Sequence, residues 1–183
     1  MKELSLNVLD IVENSVKAKA SLIRILLEET DEVLTMQIED NGCGMREEIL
    51  RGVIDPFYTT RTTRKVGMGV PLLKLAAEQT GGEVIITSRH ESEYPDTHGT
   101  EVVAHFYKQH IDFTPMGDII STVITLIQGS PDIDFDFRHK SNTFDVALDT
   151  REVREVLGPE IPLSEPEILS WIADNLCEQY KNI

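Results

Sequence analysis

Apolar and polar positions repeat with two periods along the chain, and the switches between them mark out its elements. Residues 5–18 carry the helical period. Leu9, Val12 and Val16 line one face, and Asp10, Glu13, Asn14 and Lys17, at i, i+3, i+4 and i+7, form a polar stripe beside it. Residues 22–28 and 33–39 are largely apolar, are joined by the polar turn Glu29-Thr30-Asp31-Glu32, and read as two strands. A short helix is expected over 46–54, ended by Asp55-Pro56. A further helix over 72–79 has Pro71 in its first turn and stops at Gly81-Gly82. Residues 83–89 and 99–107 read as strands on either side of the polar loop 90–98. The order α, β, β, α, loop, α, β, β predicts helices layered on one face of a mostly antiparallel sheet, an α+β sandwich.

Beyond residue 108 the periods continue without a motif. Residues 115–128 predict an amphipathic helix, and 133–137 with 143–148 predict a hairpin across Arg138-His139-Lys140-Ser141-Asn142. Asp149 with Glu152, and Ser164 with Glu167, have capping-box spacing. Leu163 and Ile168 suit a hydrophobic staple for a last helix over 165–180. Asp132, Asp134 and Asp136 look like a calcium loop, but the glycine and the distal Glu are missing. Alternation with Ile133, Phe135 and Phe137 gives instead a strand with one buried and one acidic face, the latter either solvated or turned to a basic partner. The expected division is therefore 1–108 and a small α+β region, 109–183, of unknown role. That region either completes the core of the first part or forms a separate partner-binding module.

Composition narrows the class. Hydrophobic residues make up 40% of the 183, enough for a sizeable core. A net charge of -15 argues against non-specific nucleic-acid binding and against anionic membrane surfaces. No apolar run approaches the ~20 residues that span a bilayer, and the N-terminus lacks an apolar signal core. Cys43 and Cys177 form no CxxC pair. A soluble cytoplasmic protein with reduced thiols is expected. The charge is uneven: residues 1–108 hold 12 Lys+Arg against 18 Asp+Glu, and 109–183 hold 5 against 14. Residues 56–77 nonetheless contain Arg61, Arg64, Lys65 and Lys74 and no acid. This basic island suits a polyphosphate, a partner surface or local solubility.

Three short stretches carry chemistry. Asp10 and Asn14, one turn apart, can orient a water and coordinate a hard cation such as Mg²⁺, although a polar stripe with a Glu13–Lys17 pair is also common on surface helices. In Asp40-Asn41-Gly42-Cys43-Gly44-Met45, two glycines after a strand mark a turn approached closely by another group. Asp40 is an acceptor for an exocyclic amine such as that of adenine, or the first residue of an ordinary Asp-Asn-Gly turn. Cys43 suits a small buried filler. Gly67-Met68-Gly69-Val70 precedes a helix and offers backbone N–H groups to an anion, at a spacing unlike the P-loop or the dinucleotide fingerprint. His90-Glu91 in the polar loop mimics a phosphoacceptor box but lies off any amphipathic helix. His98, His105, His110 and His139 lack ligand spacing and suit structural roles.

Asn14 within Glu13-Asn14-Ser15, DNGCGM at 40–45, DPFYTTR at 55–61, GMGVPLLK at 67–74 and Gly99-Thr100 occur in one order. Together they resemble the N, G1, F, G2 and terminal Gly-Thr motifs of the GHKL superfamily, over about residues 4–107. That superfamily includes gyrase B, the ninety-kilodalton chaperone, mismatch-repair ATPases, sensor histidine kinases and anti-sigma serine kinases. The resemblance implies a Bergerat-type α/β sandwich binding Mg²⁺-ATP. It implies that Asn14 chelates Mg²⁺, Asp40 accepts from the adenine amine with support from Thr100, and Gly42 and Gly44 pass beneath the base. Gly67 and Gly69 would give N–H groups to the phosphates, and 58–66 would be the ATP lid, anchored by Phe57. Lys17, Met45, Thr59, Thr60, Arg61, Lys65, Met68 and Val70 complete the implied nucleotide-contacting set.

Asp10 stands where the family's ATPases carry a general-base Glu, one methylene shorter, so it permits hydrolysis without demonstrating it. Pro71 stands where kinases usually have the third G2 glycine, and it removes a donor. The short lid looks more like the kinase branch. The expected function is a Mg²⁺-ATP-binding ATPase or protein kinase of this type, with a protein partner or substrate and neither nucleic acid nor membrane. The alternative is a nucleotide-gated interaction module without turnover.

Overall fold

The structure, a computed structural model, describes residues 3–54 and 67–181. The first part comprises α1 (Leu4–Lys17), β1 (Leu22–Glu29), β2 (Val33–Asp40), α2 (Glu47–Ile54), α3 (Gly69–Gln79), β3 (Val84–Arg89) and β4 (Gly99–Tyr107). The rest comprises α4 (Ile119–Gly129), β5 (Asp134–Ser141), β6 (Asp145–Asp149), α5 (Thr150–Leu157) and α6 (Pro166–Lys181). All six strands belong to one sheet in the order β3-β4-β2-β1-β5-β6. Every neighbouring pair is antiparallel except β1 and β5, which run parallel. The sheet is thus mixed and mostly antiparallel, as expected.

Alternation decides which face is covered. Ile23, Ile25 and Leu27 of β1 are buried, as are Leu34, Met36 and Ile38 of β2, Val102, Ala104 and Phe106 of β4, and Phe135 and Phe137 of β5. These face α1, α3, α4 and α6, while Arg24, Glu28 and Glu39 point away and are exposed. One apolar cluster runs from Leu4 on α1 to Leu176 on α6. Residues 109–183 therefore extend the sheet and the core of the first part. The joint is made twice more at the start of α1, where the N–H groups of Leu4 and Ser5 donate to the carbonyls of Pro115 and Met116 at 2.9 and 2.8 Å. Those donors have no intrahelical partner of their own.

Three details differ from the expectation. Helix α4 begins at Ile119 instead of 115, because Asp118 caps it by accepting from the Ser121 N–H at 3.0 Å. Strand β5 continues to Ser141 through residues expected in the turn. His139 packs inward there, and Arg138 forks onto Asp145 across the hairpin. The acidic face of β5 is met by this chain's own arginines: Arg154 holds Asp134 at 2.7 Å, and Arg151 and Arg24 reach Asp136 at 3.5 and 3.7 Å.

Where β1 and β5 end, polar groups are fully engaged. His139, 4% exposed, stands 2.9 Å from Glu29 through Nε2 and 2.7 Å from the Tyr180 hydroxyl through Nδ1. Lys108 donates to the other Glu29 oxygen at 2.7 Å, and Phe144 stacks edge-on to the imidazole with ring centroids 4.9 Å apart. The His139 and Lys108 bonds hold the Glu29 carboxyl down at about 2, and burial pushes the Tyr180 hydroxyl up. On the outermost strand, the Gln179 amide accepts from Ala147 N–H at 2.9 Å and donates to its carbonyl at 3.0 Å, standing in for a missing strand partner.

Candidate functional site

Asp40 ends β2 at a position that faces the helices, so its carboxyl reaches α1. Ser15 Oγ donates to Oδ2 at 2.6 Å and the Gly42 N–H donates to Oδ1 at 2.9 Å. Each carboxylate oxygen retains further acceptor capacity. The turn then runs against the end of α1: Cys43 N–H donates to the Ala18 carbonyl at 2.9 Å. A Cβ at Gly42 would stand 2.8 Å from that carbonyl and from Ala18 Cβ. Gly44 has φ +67 and its α-carbon lies over the Arg89 carbonyl, where a Cβ would collide at 1.9 Å; only glycine satisfies both conditions.

The turn is fastened from the β3–β4 side. Met45 N–H donates to Ser88 Oγ at 2.8 Å, which is also 2.8 Å from Thr100 Oγ1. Thr100 pairs with Asp40 in the β2–β4 ladder, and its hydroxyl engages Ser88, so its support of Asp40 passes through backbone. His98 donates from Nδ1 to the Gly42 carbonyl at 2.6 Å.

The glycine segment before α3 meets the other exposed side of α1. A Cβ at Gly67 would lie 3.7 Å from Asn14 Oδ1, and one at Gly69 would lie 3.0 Å from Asp10 Cβ. One helix thus gathers Asp10, Asn14, Gly67 and Gly69 along one flank, and Ser15, Asp40 and Gly42 toward its C-terminal end. Among the described residues the Asn14 amide makes no hydrogen bond. Burial, with Glu13 assisting and Lys17 opposing, raises the Asp10 carboxyl above its ordinary range. Deeper in α1, Asn7 is fully buried with neither amide atom bonded among the described residues. No three His, Cys, Asp or Glu side chains converge as a metal-ligand set among the described residues.

Other expected contacts fall differently. Lys17 is exposed and stands 3.9 Å from Glu13, the surface pair its spacing allowed. Met68 is 67% exposed, whereas Val70 points into the core and Met45 packs against it. Phe57, Thr59, Thr60, Arg61 and Lys65, with the rest of 55–66, lie outside the described residues. Ser15, Ser88 and His98 were not singled out for this site. Ser15 left a trace in the sequence, as a hydroxyl on the face shared by Leu4, Val8, Ile11 and Val12. Ser88 and His98 left none, because their partners lie far away along the chain.

Parts of this chain resemble known proteins. A family model described as "Histidine kinase-, DNA gyrase B-, and HSP90-like ATPase" matches residues 2–110. The tetrathionate sensor histidine kinase TtrS of Salmonella typhimurium is 31% identical over 101 residues, 55% of this chain and 17% of that protein. A probable C4-dicarboxylate sensor kinase of Bacillus subtilis is 31% identical over 74 residues, 40% of this chain and 14% of its own length. The chain thus spans only a small part of these relatives. Among solved structures, the N-terminal domain of a DNA repair protein superposes with a TM-score of 0.57 at 16% identity, covering 81% of this chain and 53% of that one. The Aquifex aeolicus MutL ATPase domain complexed with ADP gives 0.50 at 15% identity, covering 86% and 69%. At these identities the structures speak for the fold, which is the Bergerat sandwich.

Proposed function

The chain belongs to the family of histidine kinase-, DNA gyrase B- and HSP90-like ATPases, and on that premise we propose that it binds Mg²⁺-ATP along α1 and turns it over, by hydrolysis or by transfer to a separate protein. The observation that carries this reading is the convergence on one helix of three segments far apart in sequence: Asp10 and Asn14 beside Gly67 and Gly69, with Asp40 held by Ser15. The residues fit the ligand. Gly69 leaves room where a Cβ would stand 3.0 Å from Asp10 Cβ, Gly67 lies alongside Asn14, and among the described residues the Asn14 amide is uncommitted. Asp40 keeps lone pairs for an exocyclic amine after accepting from Ser15 and Gly42.

In this reading Asp40 selects adenine, and the Gly42–Gly44 turn, fastened by Ser88 and His98, holds the carboxylate in place. Asn14 would hold Mg²⁺, which when bound offsets phosphate charge and polarises the γ-phosphoryl group. Backbone N–H groups around Gly67 and Gly69 would receive the phosphate oxygens, helped by the start of α3. Asp10, with its raised affinity for a proton, is suited to take one from an attacking water or hydroxyl. The relatives' names point to phosphotransfer, and a separate protein acceptor is the form proposed here. Asp10 being shorter than Glu favours a second reading, a nucleotide-gated interaction module that binds without turnover.

Calorimetry of ATP binding with and without Mg²⁺, together with phosphate release and ³²P transfer assays, tests the proposal. Wild type should bind ATP in a Mg²⁺-dependent manner, and Asp40→Asn should weaken binding by about a hundredfold. Unchanged affinity in that variant refutes the adenine assignment. Binding without release or transfer leaves the gated module as the function.

A further inference from the structure

On the face of the sheet away from α1 and α3, under the 90–98 loop, lies a cavity of about 630 Å³ lined by Glu39, Thr87, Arg89, Tyr94, His98 and Glu101, among others. It reaches Asp40 and Thr100 from behind, but Asp10, Asn14 and Gly67 take no part in it. Its size is that of a small-ligand site.

Among the described residues, the carboxylates inside it are only partly balanced. Glu39 and Glu101 are register partners on β2 and β4, with Thr87 beyond them on β3. Like charges directly opposite on neighbouring strands repel. Among the described residues Glu101 receives only neutral donors, Gln37 Nε2 at 2.7 Å and Thr87 Oγ1 at 3.3 Å. Glu39 has Arg24 at 3.4 Å, a guanidinium it shares with Asp136 at 3.7 Å. Tyr94, 47% exposed, adds an aromatic wall suited to a cation. Two residues beyond Thr87, about 7 Å along the strand, Arg89 lines the same cavity and has no ion pair or hydrogen bond from its side chain among the described residues. Its ladder partner is Gly99, which puts no side chain beside it.

We propose that this cavity binds a basic amino acid, its cationic end between Glu39, Glu101 and Tyr94 and its carboxylate on Arg89. Thr87, the ladder partner of Glu101, and Arg89 are about 7 Å apart along β3, comparable with an extended lysine or arginine side chain. The same chemistry is offered by a free amino acid and by the C-terminal residue of a peptide. The cavity borders Asp40, Ser88, His98 and Thr100, but Glu39, Glu101, Tyr94 and Arg89 have no part in the nucleotide reading and the test contains no nucleotide, so either can fail alone.

The test is calorimetry of the full chain with L-arginine, agmatine, L-glutamate and a short peptide ending in arginine. L-arginine or the peptide should bind, the tighter of the two identifying the source. Agmatine, lacking the carboxylate, should bind about tenfold more weakly. Glu101→Gln and Arg89→Met should each weaken binding about tenfold, with the melting temperature retained. No heat with arginine or the peptide at millimolar concentration overturns the proposal. So does undiminished binding by Glu101→Gln, agmatine binding as tightly as arginine, or L-glutamate binding as well as arginine.

Discussion

Asp40 and His139 are both buried polar side chains on the helix-covered face of one sheet. They lie toward opposite ends of β1, Asp40 beside Ile23 and His139 beside Leu27. Around His139 both ring nitrogens, both Glu29 oxygens and the Tyr180 hydroxyl are committed to one another or to Lys108. Around Asp40 capacity is left over: its carboxylate can accept more, the Asn14 amide is unused among the described residues, and glycines keep side chains away. Buried groups that satisfy each other hold a fold together. Buried groups left with room and unspent bonding are where a ligand finds partners. On the proposed function the two ends divide cohesion from recognition, and substitutions should separate along that line.

The largest separation is expected at Asp10. Asp10→Asn should lower phosphate release or transfer by about 10²–10⁴ while leaving the ATP Kd and the melting temperature near wild type. Equal turnover removes Asp10 as the base. His139→Ala should do the reverse. It leaves a void and strips partners from Glu29 and Tyr180, at a cost of about 3 kcal/mol in urea unfolding, with ATP affinity unchanged. A shift in ATP affinity comparable to the stability loss would show the two ends to be coupled.

Acid sharpens the same contrast. Glu29 ionises at about 2 in the fold against 4.5 ordinarily, so its contribution to stability is complete above pH 4.5 and drains away as pH falls toward 2. Wild type minus Glu29→Gln, followed by unfolding across that window, should shrink to its low-pH limit. A difference that stays constant denies the carboxylate this role. The smallest effect is reserved for Gln179→Ala, about 1 kcal/mol, read as a slight loss in melting temperature with more self-association as the β6 backbone is uncovered.

The residues of the proposed nucleotide site could be picked out along the chain because their signals are local. Asp10 and Asn14 share a helix face, Asp40 closes an alternating strand, and glycine pairs announce turns within a few residues. Placement of the elements was legible for the same reason, to within a few residues at most ends. What escaped depends on distance along the chain. The parallel pairing of β5 with β1 leaves no periodic signature, so residues 109–183 could be given elements but no position. The hydrogen-bond partners of His139 are remote in sequence, Glu29 and Tyr180 standing 110 and 41 residues away. The hold of Ser15 on Asp40 spans 25 residues and was likewise hidden. The helix at 119 began late because a single aspartate cap outweighed the apolar period that preceded it.

One consequence follows from β5 lying parallel against β1. Eight consecutive backbone pairings, from Leu22 with Asp134 to Glu29 with Ser141, tie the family-matched half to the tail. A version cut at residue 108 would bare that whole rim, together with the apolar flank that α4 and α6 cover, and would be prone to clump. Anyone isolating the family-matched half of this molecule must keep the tail, since heat should melt the two as a unit.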